Sequence, residues 1–298
     1  MPSYIFYSLM AAVGFAAASI LNKLTSKHAI AERWPLLFWN YLAFAPFAAI
    51  VPFIAAISIP NSMAEWLFII GYSLFFLAGN ICFFTAIFRV DASVFAPFMQ
   101  LQAAFLAILA FLFLGERFPL ANYLWIGVLI LGAILVSADD KSKISLPASQ
   151  RRQALLLVIL AQLLFAGSNL FSGLLVKSMD FWNVMWWTYL MSVPMVLTLA
   201  KKVNRFDELK ITFRQLRPLL AVNAGTFIGA ASLFRAFQDN VTISATIGLL
   251  TGPIIFVFAV VASKINPEFL EHHARRIYLI RAGGVLITLV AAVMLSLN

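Results

Sequence analysis

Several amide and hydroxyl side chains lie inside long apolar stretches of the sequence, where polar groups are uncommon. In the stretch 154–176, Gln162, Asn169 and Ser172 recur with Phe165 at helical spacing, so a helix would place them on one face. Such groups donate and accept hydrogen bonds, which suits a neutral, zwitterionic or anionic organic molecule. Because polar groups are costly in hydrocarbon, we expect this face to line a protein interior. Hydrogen bonding between helices is the alternative interpretation.

A similar face occurs earlier in the chain. The positions that correspond to it, 150 residues before, are Ala12, Phe15, Ser19 and Asn22. Both faces carry small, polar and aromatic side chains at the spacing of a helix. The pattern predicts two opposite walls of a central cavity, and helix packing is again the alternative.

Arg235 is the only basic residue well within an apolar run. A guanidinium group there could bind a carboxylate or a phosphate. Arg235 follows Arg217 by 18 residues, which corresponds to about 27 Å along a helix, so it lies towards one end of its run. Asp239 follows at i+4, where it could form a local ion pair with Arg235. The sequence leaves both roles open.

Amide side chains in other runs are further candidates. Gln100 and Gln102 lie in the run 92–114, but residues two apart on a helix point about 200° apart, so the two cannot both line one cavity. Asn80 is as consistent with a binding role as with a structural one, and the same holds for Asn40, Asn223 and Thr226. The predicted substrate-binding residues are Ser19, Asn22, Asn80, Gln100, Gln102, Gln162, Asn169, Ser172 and Arg235.

The composition is that of a membrane protein. The chain has 298 residues, of which 63% are hydrophobic and 11% charged, against about 45–50% and about 25% in soluble domains. A helix needs about 20 apolar residues to cross a bilayer, and ten such runs account for most of the chain. The predicted spans are 2–23, 35–58, 65–88, 92–114, 119–138, 154–176, 183–200, 216–238, 242–263 and 277–297. They predict an all-α polytopic membrane protein with ten transmembrane helices.

The distribution of charge predicts how these helices are oriented. The net charge of +9 does not indicate nucleic-acid binding, because the basic residues fall between the apolar runs and not on one surface. Loops on one side carry eighteen Lys and Arg residues, whereas loops on the other side carry only Arg117 and Lys177. The positive-inside bias therefore predicts a multi-pass protein of the cell (inner) membrane with both termini outside.

The two halves of the chain match each other in order. Because each half has five predicted spans, an odd number, the second copy would enter the membrane upside down. Inverted repeats of this kind open a central site first to one side and then to the other. We predict a first repeat over 1–138, a cytoplasmic linker over 139–153 and a second repeat over 154–298. Matches at offsets of 148–151 residues include Phe15 with Phe165, Tyr41 with Tyr189, Pro46 with Pro194, Gly79 with Gly229 and Ser93 with Ser244.

The stretch from Ala86 to Phe118, AIFRVDASVFAPFMQLQAAFLAILAFLFLGERF, resembles the EamA module of the drug/metabolite transporter (DMT) superfamily. The second half is a poorer copy, with Asn266-Pro267-Glu268 where Gly-Glu-Arg would be expected. The resemblance implies a ten-span carrier of two inverted five-helix EamA-type repeats. It also implies termini in the cytoplasm, against the charge distribution, and it implies no particular solute. The matching features are Ala86, Ala92-Ser93, Gly115-Glu116-Arg117, Gly127 and Gly132.

No set of residues indicates catalysis or a cofactor. All twelve carboxylates lie in loops or at the ends of runs, the three histidines lie in loops, and neither HExxH nor GxxxxGK[ST] occurs. We therefore expect no cofactor, no metal and no nucleic acid, with the lipid bilayer and a small-molecule substrate as partners.

The sequence predicts a secondary transporter that exports or exchanges a small organic metabolite, amino-acid-like or otherwise zwitterionic or anionic. A monomer would suffice, and an oligomer is also compatible. The alternatives are a proton-coupled drug or cation efflux carrier and, less favoured, a polytopic membrane enzyme.

Overall fold

The computed structural model describes residues 2–28, 30, 33–87, 101–136, 148–202, 211–262 and 275–297. Within these ranges every regular element is a helix. The helices of the first half are α1 (Ser3–His28), α2 (Arg33–Leu42), α3 (Ala45–Ile54), α4 (Met63–Ile87), α5 (Leu101–Leu109, continued by a π-helical turn, Ala110–Leu114) and α6 (Leu120–Val136). Those of the second half are α7 (Ala148–Leu175), α8 (Phe181–Lys202), α9 (Phe213–Phe237), α10 (Val241–Gly248), α11 (Thr251–Ala262) and α12 (Arg275–Leu297).

Seven segments of the described chain are long and apolar enough to cross a membrane. They are accompanied by two shorter apolar helices, Leu101–Leu114 and Leu120–Val136, and by the 22-residue helix α8. The predicted all-helical architecture is confirmed for the described residues, and each of the ten predicted spans contains at least one helix. The seven segments are Ser3–Asn22, Trp34–Ile54, Met63–Ala86, Arg152–Leu175, Phe213–Phe237, Val241–Phe258 and Arg276–Leu295.

Three helix pairs make the most extensive contacts, and each pair joins the first half to the second: α1 with α9, α4 with α7, and α6 with α12. At the α1/α9 crossing the two backbones touch, since a Cβ atom on Gly14 would lie 2.7 Å from the Gly229 nitrogen and 2.9 Å from the Gly225 carbonyl oxygen. At the α6/α12 crossing, a Cβ on Gly284 would lie 2.7 Å from the Gly132 carbonyl oxygen. Small residues therefore set how closely the halves approach.

Glycines also receive aromatic rings from the opposite half. A Cβ on Gly79 of α4 would lie 2.7 Å from the ring of Phe165 in α7, and a Cβ on Gly229 of α9 would lie 2.8 Å from the ring of Phe15 in α1. These are the same two residue types at positions that match between the halves. The contact between a glycine of one half and a phenylalanine ring of the other half therefore occurs twice, once at each set of matched positions.

The second predicted span is interrupted. Helix α2 ends at Leu42 and α3 begins at Ala45, because Pro46 has no N–H to donate to the Leu42 carbonyl and its ring opposes a continuous helix. The predicted span 35–58 corresponds to the apolar segment Trp34–Ile54, which contains this interruption and ends with α3 at Ile54. The chain then continues without regular secondary structure to the start of α4.

The predicted span 242–263 is interrupted as well, between α10 and α11. In a continuous helix the ring of Pro253 would meet the Leu249 carbonyl. The Thr251 hydroxyl donates to the Gly248 carbonyl (2.7 Å) and so occupies an acceptor at the end of α10. Pro194, in contrast, lies inside the uninterrupted helix α8. A proline alone therefore does not determine where these helices break.

Candidate functional site

Five polar side chains from four helices form a central cluster: Asn40 and Tyr41 of α2, Asn80 of α4, Tyr189 of α8 and Asn223 of α9. The Asn223 amide nitrogen donates to the Asn40 amide oxygen (3.2 Å), and the Asn80 amide nitrogen donates to the Tyr41 hydroxyl (3.2 Å). The Tyr189 hydroxyl donates to the Tyr41 backbone carbonyl (3.4 Å). The central cluster is therefore built by both halves of the chain.

The break between α2 and α3 makes the Tyr41 carbonyl available to a side chain. In a continuous helix this oxygen would accept from the N–H of residue 45. Here it accepts from the Phe44 N–H (3.2 Å) and from the Tyr189 hydroxyl. Tyr41 and Tyr189 are also matched positions of the two halves. Two equivalent residues therefore meet at the break.

Aromatic rings border the central cluster. The ring of Phe44 lies 5.1 Å from that of Tyr189 and 6.0 Å from that of Phe227. On the other side, the ring of Phe76 lies 6.1 Å from that of Tyr41. All five members of the cluster are uncharged, so the arrangement provides hydrogen-bonding groups within an apolar, aromatic surround.

The predicted polar face of α7 lies in the interior, although its groups differ in what they contact. Gln162 is 1% exposed, and its amide nitrogen has no hydrogen-bond partner among the described residues. Ser172 is fully buried and donates to the Asn169 carbonyl of its own helix (2.9 Å). Asn169 is half-buried. Gln162 is therefore the residue of this face that holds an unused buried donor.

The candidates on α1 and α5 are not hydrogen-bonded to the central cluster within the described residues. Ser19 is exposed, Gln102 is half-buried, and Asn22 is half-buried with an amide oxygen that is inaccessible and has no partner among the described residues. Gln100 lies outside the described residues. Within the described chain no hydrogen bond links these side chains to the cluster, and Asn80 is the only predicted substrate-binding residue in it.

Arg235 lies at the end of α9, against the start of α1. Its guanidinium group donates to the Gln238 side-chain oxygen (3.1 Å), lies 3.7 Å from the Asp239 carboxylate and 5.3 Å from the centre of the Tyr7 ring. The Ser3 hydroxyl donates to the same carboxylate (2.6 Å). The ion pair that the sequence offered as one of two roles for Arg235 is therefore present.

The end of the molecule that holds the start of α1, here called the Ser3 end, contains a second contact between the halves. The Glu116 carboxylate accepts from the backbone N–H groups of Val241 (2.9 Å) and Thr242 (3.0 Å) at the start of α10. The first N–H groups of a helix have no partner within the helix, and the positive end of its dipole attracts an anion. Glu116 of the first half thus caps a helix of the second.

The turn that presents Glu116 follows the π-helical end of α5. Gly115 has φ 69°, a left-handed conformation that glycine adopts without steric cost. Just before it, the Leu114 carbonyl accepts from the Lys177 ammonium group (3.1 Å). The Gly-Glu pair of the EamA-like ending therefore has a structural basis: the glycine makes the turn and the glutamate caps α10.

The segment 55–61, between α3 and α4, is held against α8 at the same end. The Asn183 amide oxygen accepts from the Ser58 N–H (2.8 Å), and its amide nitrogen donates to the Ala56 carbonyl (3.3 Å). The Trp187 ring N–H donates to the Ser58 carbonyl (2.8 Å). These side chains pair with the backbone of 55–61 as a neighbouring strand would.

Asn183→Ala is expected to lower the free energy of unfolding by about 1–2 kcal/mol, because the 4% exposed Asn183 supplies hydrogen bonds that Ala56 and Ser58 would lose. Thermal denaturation of the detergent-solubilised protein measures the change. Asn183→Asp retains the acceptor for Ser58 but not the donor for Ala56, so its effect should be intermediate. An unchanged midpoint in both variants would show that packing and Trp187 alone hold the segment.

Tyr41 and Tyr189 are the members of the cluster that the sequence analysis does not include among its polar candidates. The sequence pairs them as matched positions and offers Asn40 and Asn223 as polar candidates, but it predicts no polar role for the tyrosines. The available signal was the position of each tyrosine five residues before a proline that also matches, Pro46 or Pro194. A polar residue so close before a proline can serve a helix break.

Comparison with known proteins agrees with this architecture. Residues 2–138 match the family model of the EamA-like transporter family. A chain described only as the crystal structure of a protein shares the fold, with a TM-score of 0.71 and 11% identity, over 97% of this chain and 98% of that chain. A search of curated proteins gives no match.

The apolar helices and the polar cluster between them define a multi-pass membrane protein whose two halves enclose buried hydrogen-bonding groups. Residues 2–138, just under half of the chain, match the EamA-like transporter family, which lies within the DMT superfamily. The families of this group are transporters and not enzymes. The protein is accordingly a membrane transporter of the DMT type, embedded in a bilayer and acting on a small-molecule substrate.

Proposed function

We propose that the protein is a secondary carrier that moves a small organic metabolite across the cell (inner) membrane by alternating access. The solute is amino-acid-like or otherwise zwitterionic or anionic, and the process is export or exchange. The central cluster carries this proposal, because polar side chains from both halves meet at a break in a membrane helix. Irregular backbone at membrane depth is tolerated where it is buried in protein or lines a cavity.

The proposal includes two inverted repeats. Gly79 receives the ring of Phe165, and Gly229 receives the ring of Phe15, which is the contact expected at both matched positions of a pseudo-symmetric pair. The meeting of the matched tyrosines in the central cluster supports a pseudo-two-fold axis close to that point.

The repeats comprise 1–138 and 154–298, joined by a cytoplasmic linker over 139–153. Ten spans result when the seven long segments are joined by Leu101–Leu114, Leu120–Val136 and α8. The excess of Lys and Arg in loops on one side supports an orientation with both termini outside.

The substrate pathway in this proposal passes the polar residues predicted from the sequence. The buried amide nitrogen of Gln162 and the buried amide oxygen of Asn22 support it, since each has no partner among the described residues. Buried polar atoms without a partner are rare in folded proteins, and a bound molecule would satisfy them. The proposed binding residues are Ser19, Asn22, Asn80, Gln100, Gln102, Gln162, Asn169, Ser172 and Arg235.

Counterflow in proteoliposomes tests the function. Purified protein is reconstituted with a pooled panel of labelled amino acids, organic acids, phosphorylated metabolites and nucleosides. We expect saturable exchange of at least one zwitterionic or anionic solute, and Asn169→Ala should raise its half-saturation concentration several-fold because one polar contact is lost. The absence of counterflow for every solute, with folded protein in the vesicles, would overturn the proposal.

Two further variants separate the roles of Arg235. If Arg235 binds an anionic group of the solute, Arg235→Ala should weaken exchange far more than Asp239→Ala. Equal effects of the two changes would assign Arg235 to its ion pair alone. A proton flux strictly coupled to solute movement and unchanged by Asp239→Asn would favour the proton-coupled alternative.

A further inference from the structure

We infer that the central cluster is a specificity-determining site for an uncharged hydrogen-bonding group of the substrate, a hydroxyl or a carboxamide. This inference rests on the proposed carrier function and deepens it. It is based on the hydrogen bonds within the cluster and on the polar groups of the cluster that have no hydrogen-bond partner.

Two amides of the cluster have fixed orientations. The Asn223 amide nitrogen donates to the Leu219 carbonyl (2.9 Å) as well as to Asn40. The Asn80 amide nitrogen donates to the Phe76 carbonyl (2.8 Å) as well as to the Tyr41 hydroxyl. A backbone carbonyl only accepts, so these bonds determine which end of each amide is the nitrogen.

Four polar groups remain unused once these bonds are counted. The amide oxygens of Asn80 and Asn223, the Asn40 amide nitrogen and the hydroxyl hydrogen of Tyr41 have no partner within the described part of the chain. Tyr41 accepts from Asn80, which leaves its own O–H free to donate. The cluster therefore offers two amide acceptors and two kinds of donor to a bound molecule. A hydroxyl or a carboxamide can both donate and accept, and so can use groups of both kinds.

The surroundings of these groups disfavour a charged ligand moiety. The cluster itself has no charged member. Asn223 (2% exposed) and Tyr41 (8% exposed) are buried, and Asn40, Asn80 and Tyr189 are half-buried. An ion placed there would lose its hydration without gaining an opposite charge. An uncharged polar group loses much less, and a matching set of hydrogen bonds offsets that loss. The ring of Phe76 packs against that of Tyr41, and the ring of Phe44 packs against that of Tyr189.

Isosteric solute pairs test the inference in counterflow. The pairs are L-threonine with L-valine and L-asparagine with L-leucine, which differ mainly in a hydroxyl or a carboxamide, and L-malate with succinate for the anionic class. We expect the half-saturation concentration of the polar member to be lower by about five-fold or more in at least one pair. A five-fold difference corresponds to about 1 kcal/mol, the net contribution of one hydrogen bond. Tyr41→Phe should remove most of that preference by lowering affinity for the polar member only.

Matched variants keep the test independent of folding. Tyr123→Phe makes the same chemical change on α6, outside the cluster, and should leave the preference intact. Asn40→Leu, which removes an amide of the cluster at similar volume, should reduce the preference as Tyr41→Phe does. Thermal denaturation of each variant identifies any that fails to fold.

The outcomes separate this inference from the carrier proposal. Counterflow with no preference in any pair, or a loss in Tyr41→Phe that is equal for both members, would overturn the inference and leave the carrier intact. No counterflow of any solute would overturn both. Preference for the apolar member of every pair would also overturn the inference, because it would show that the unused groups repel the solute.

Discussion

Gly14→Ala is expected to lower the free energy of unfolding by about 3 kcal/mol, the upper part of the range for overpacking a close-packed interior. The added Cβ would lie 2.7 Å from the Gly229 nitrogen and 2.9 Å from the Gly225 carbonyl oxygen. Both are backbone atoms of α9, so no side chain can move aside. The helices themselves would have to separate, and the α1/α9 crossing would lose its dispersion contacts. Denaturant or thermal unfolding of the purified protein measures the effect.

Gly127→Ala is the matched control. Gly127 lies within α6, and no heavy atom lies within 4 Å of an added Cβ. Because alanine favours a helix over glycine by about 0.8–1.0 kcal/mol, this variant should be unchanged or slightly more stable. If Gly14→Ala matched it, the backbone contact at the α1/α9 crossing would not be the feature that holds these helices together.

Glu116→Ala is expected to cost about 2–3 kcal/mol of unfolding free energy, because two N–H groups at the start of α10 lose a charged acceptor. The loss also removes a contact between the halves. In reconstituted protein we therefore expect the rate of exchange to change together with stability. Glu116→Gln retains an oxygen acceptor without the charge, so its effect should be about half as large.

Asp180→Ala is the comparison for Glu116. The Asp180 carboxylate also accepts from a backbone N–H at a helix start, that of Trp182 (2.9 Å), but both residues belong to the same half. We expect a smaller loss of stability, about 1 kcal/mol, and an unchanged rate of exchange. A rate that responded equally to Asp180→Ala and Glu116→Ala would show that cross-half contact at Glu116 does not control the cycle.

The helices could be predicted from the sequence because apolar runs of about 20 residues have few alternatives in a membrane protein. Which of the prolines interrupt them could not. Pro46 and Pro194 occupy matched positions, yet the first accompanies a break and the second lies in a continuous helix. The first site has a polar neighbour from the other half of the chain. At the first break the Tyr189 hydroxyl, 148 residues away, contributes a bond to the adjacent Tyr41 carbonyl.

The candidate site was predicted only in part, for a related reason. Helical spacing groups residues on one helix, as it did for Gln162 and Ser172, but it does not show which helices meet. The central cluster joins residues of four helices, and Asn40 and Asn223 are 183 positions apart. The ion pair of Arg235 with Asp239, one of the two roles that the sequence offered, could be anticipated because it is local.

In the proposed alternating-access cycle, the polar contacts at the Ser3 end also affect a population. Among the described residues, five side chains join the halves there: Ser3 to Asp239, Glu116 to the start of α10, Lys177 to Leu114, and Asn183 and Trp187 to segment 55–61. If these contacts break when the halves separate, each net hydrogen bond of about 1 kcal/mol favours the joined arrangement roughly five-fold. A solute that bound the joined and separated arrangements equally would leave that ratio unchanged however tightly it bound. Turnover would then depend on how differently the solute binds the two arrangements, and overall affinity would be a poor guide to which solutes are carried.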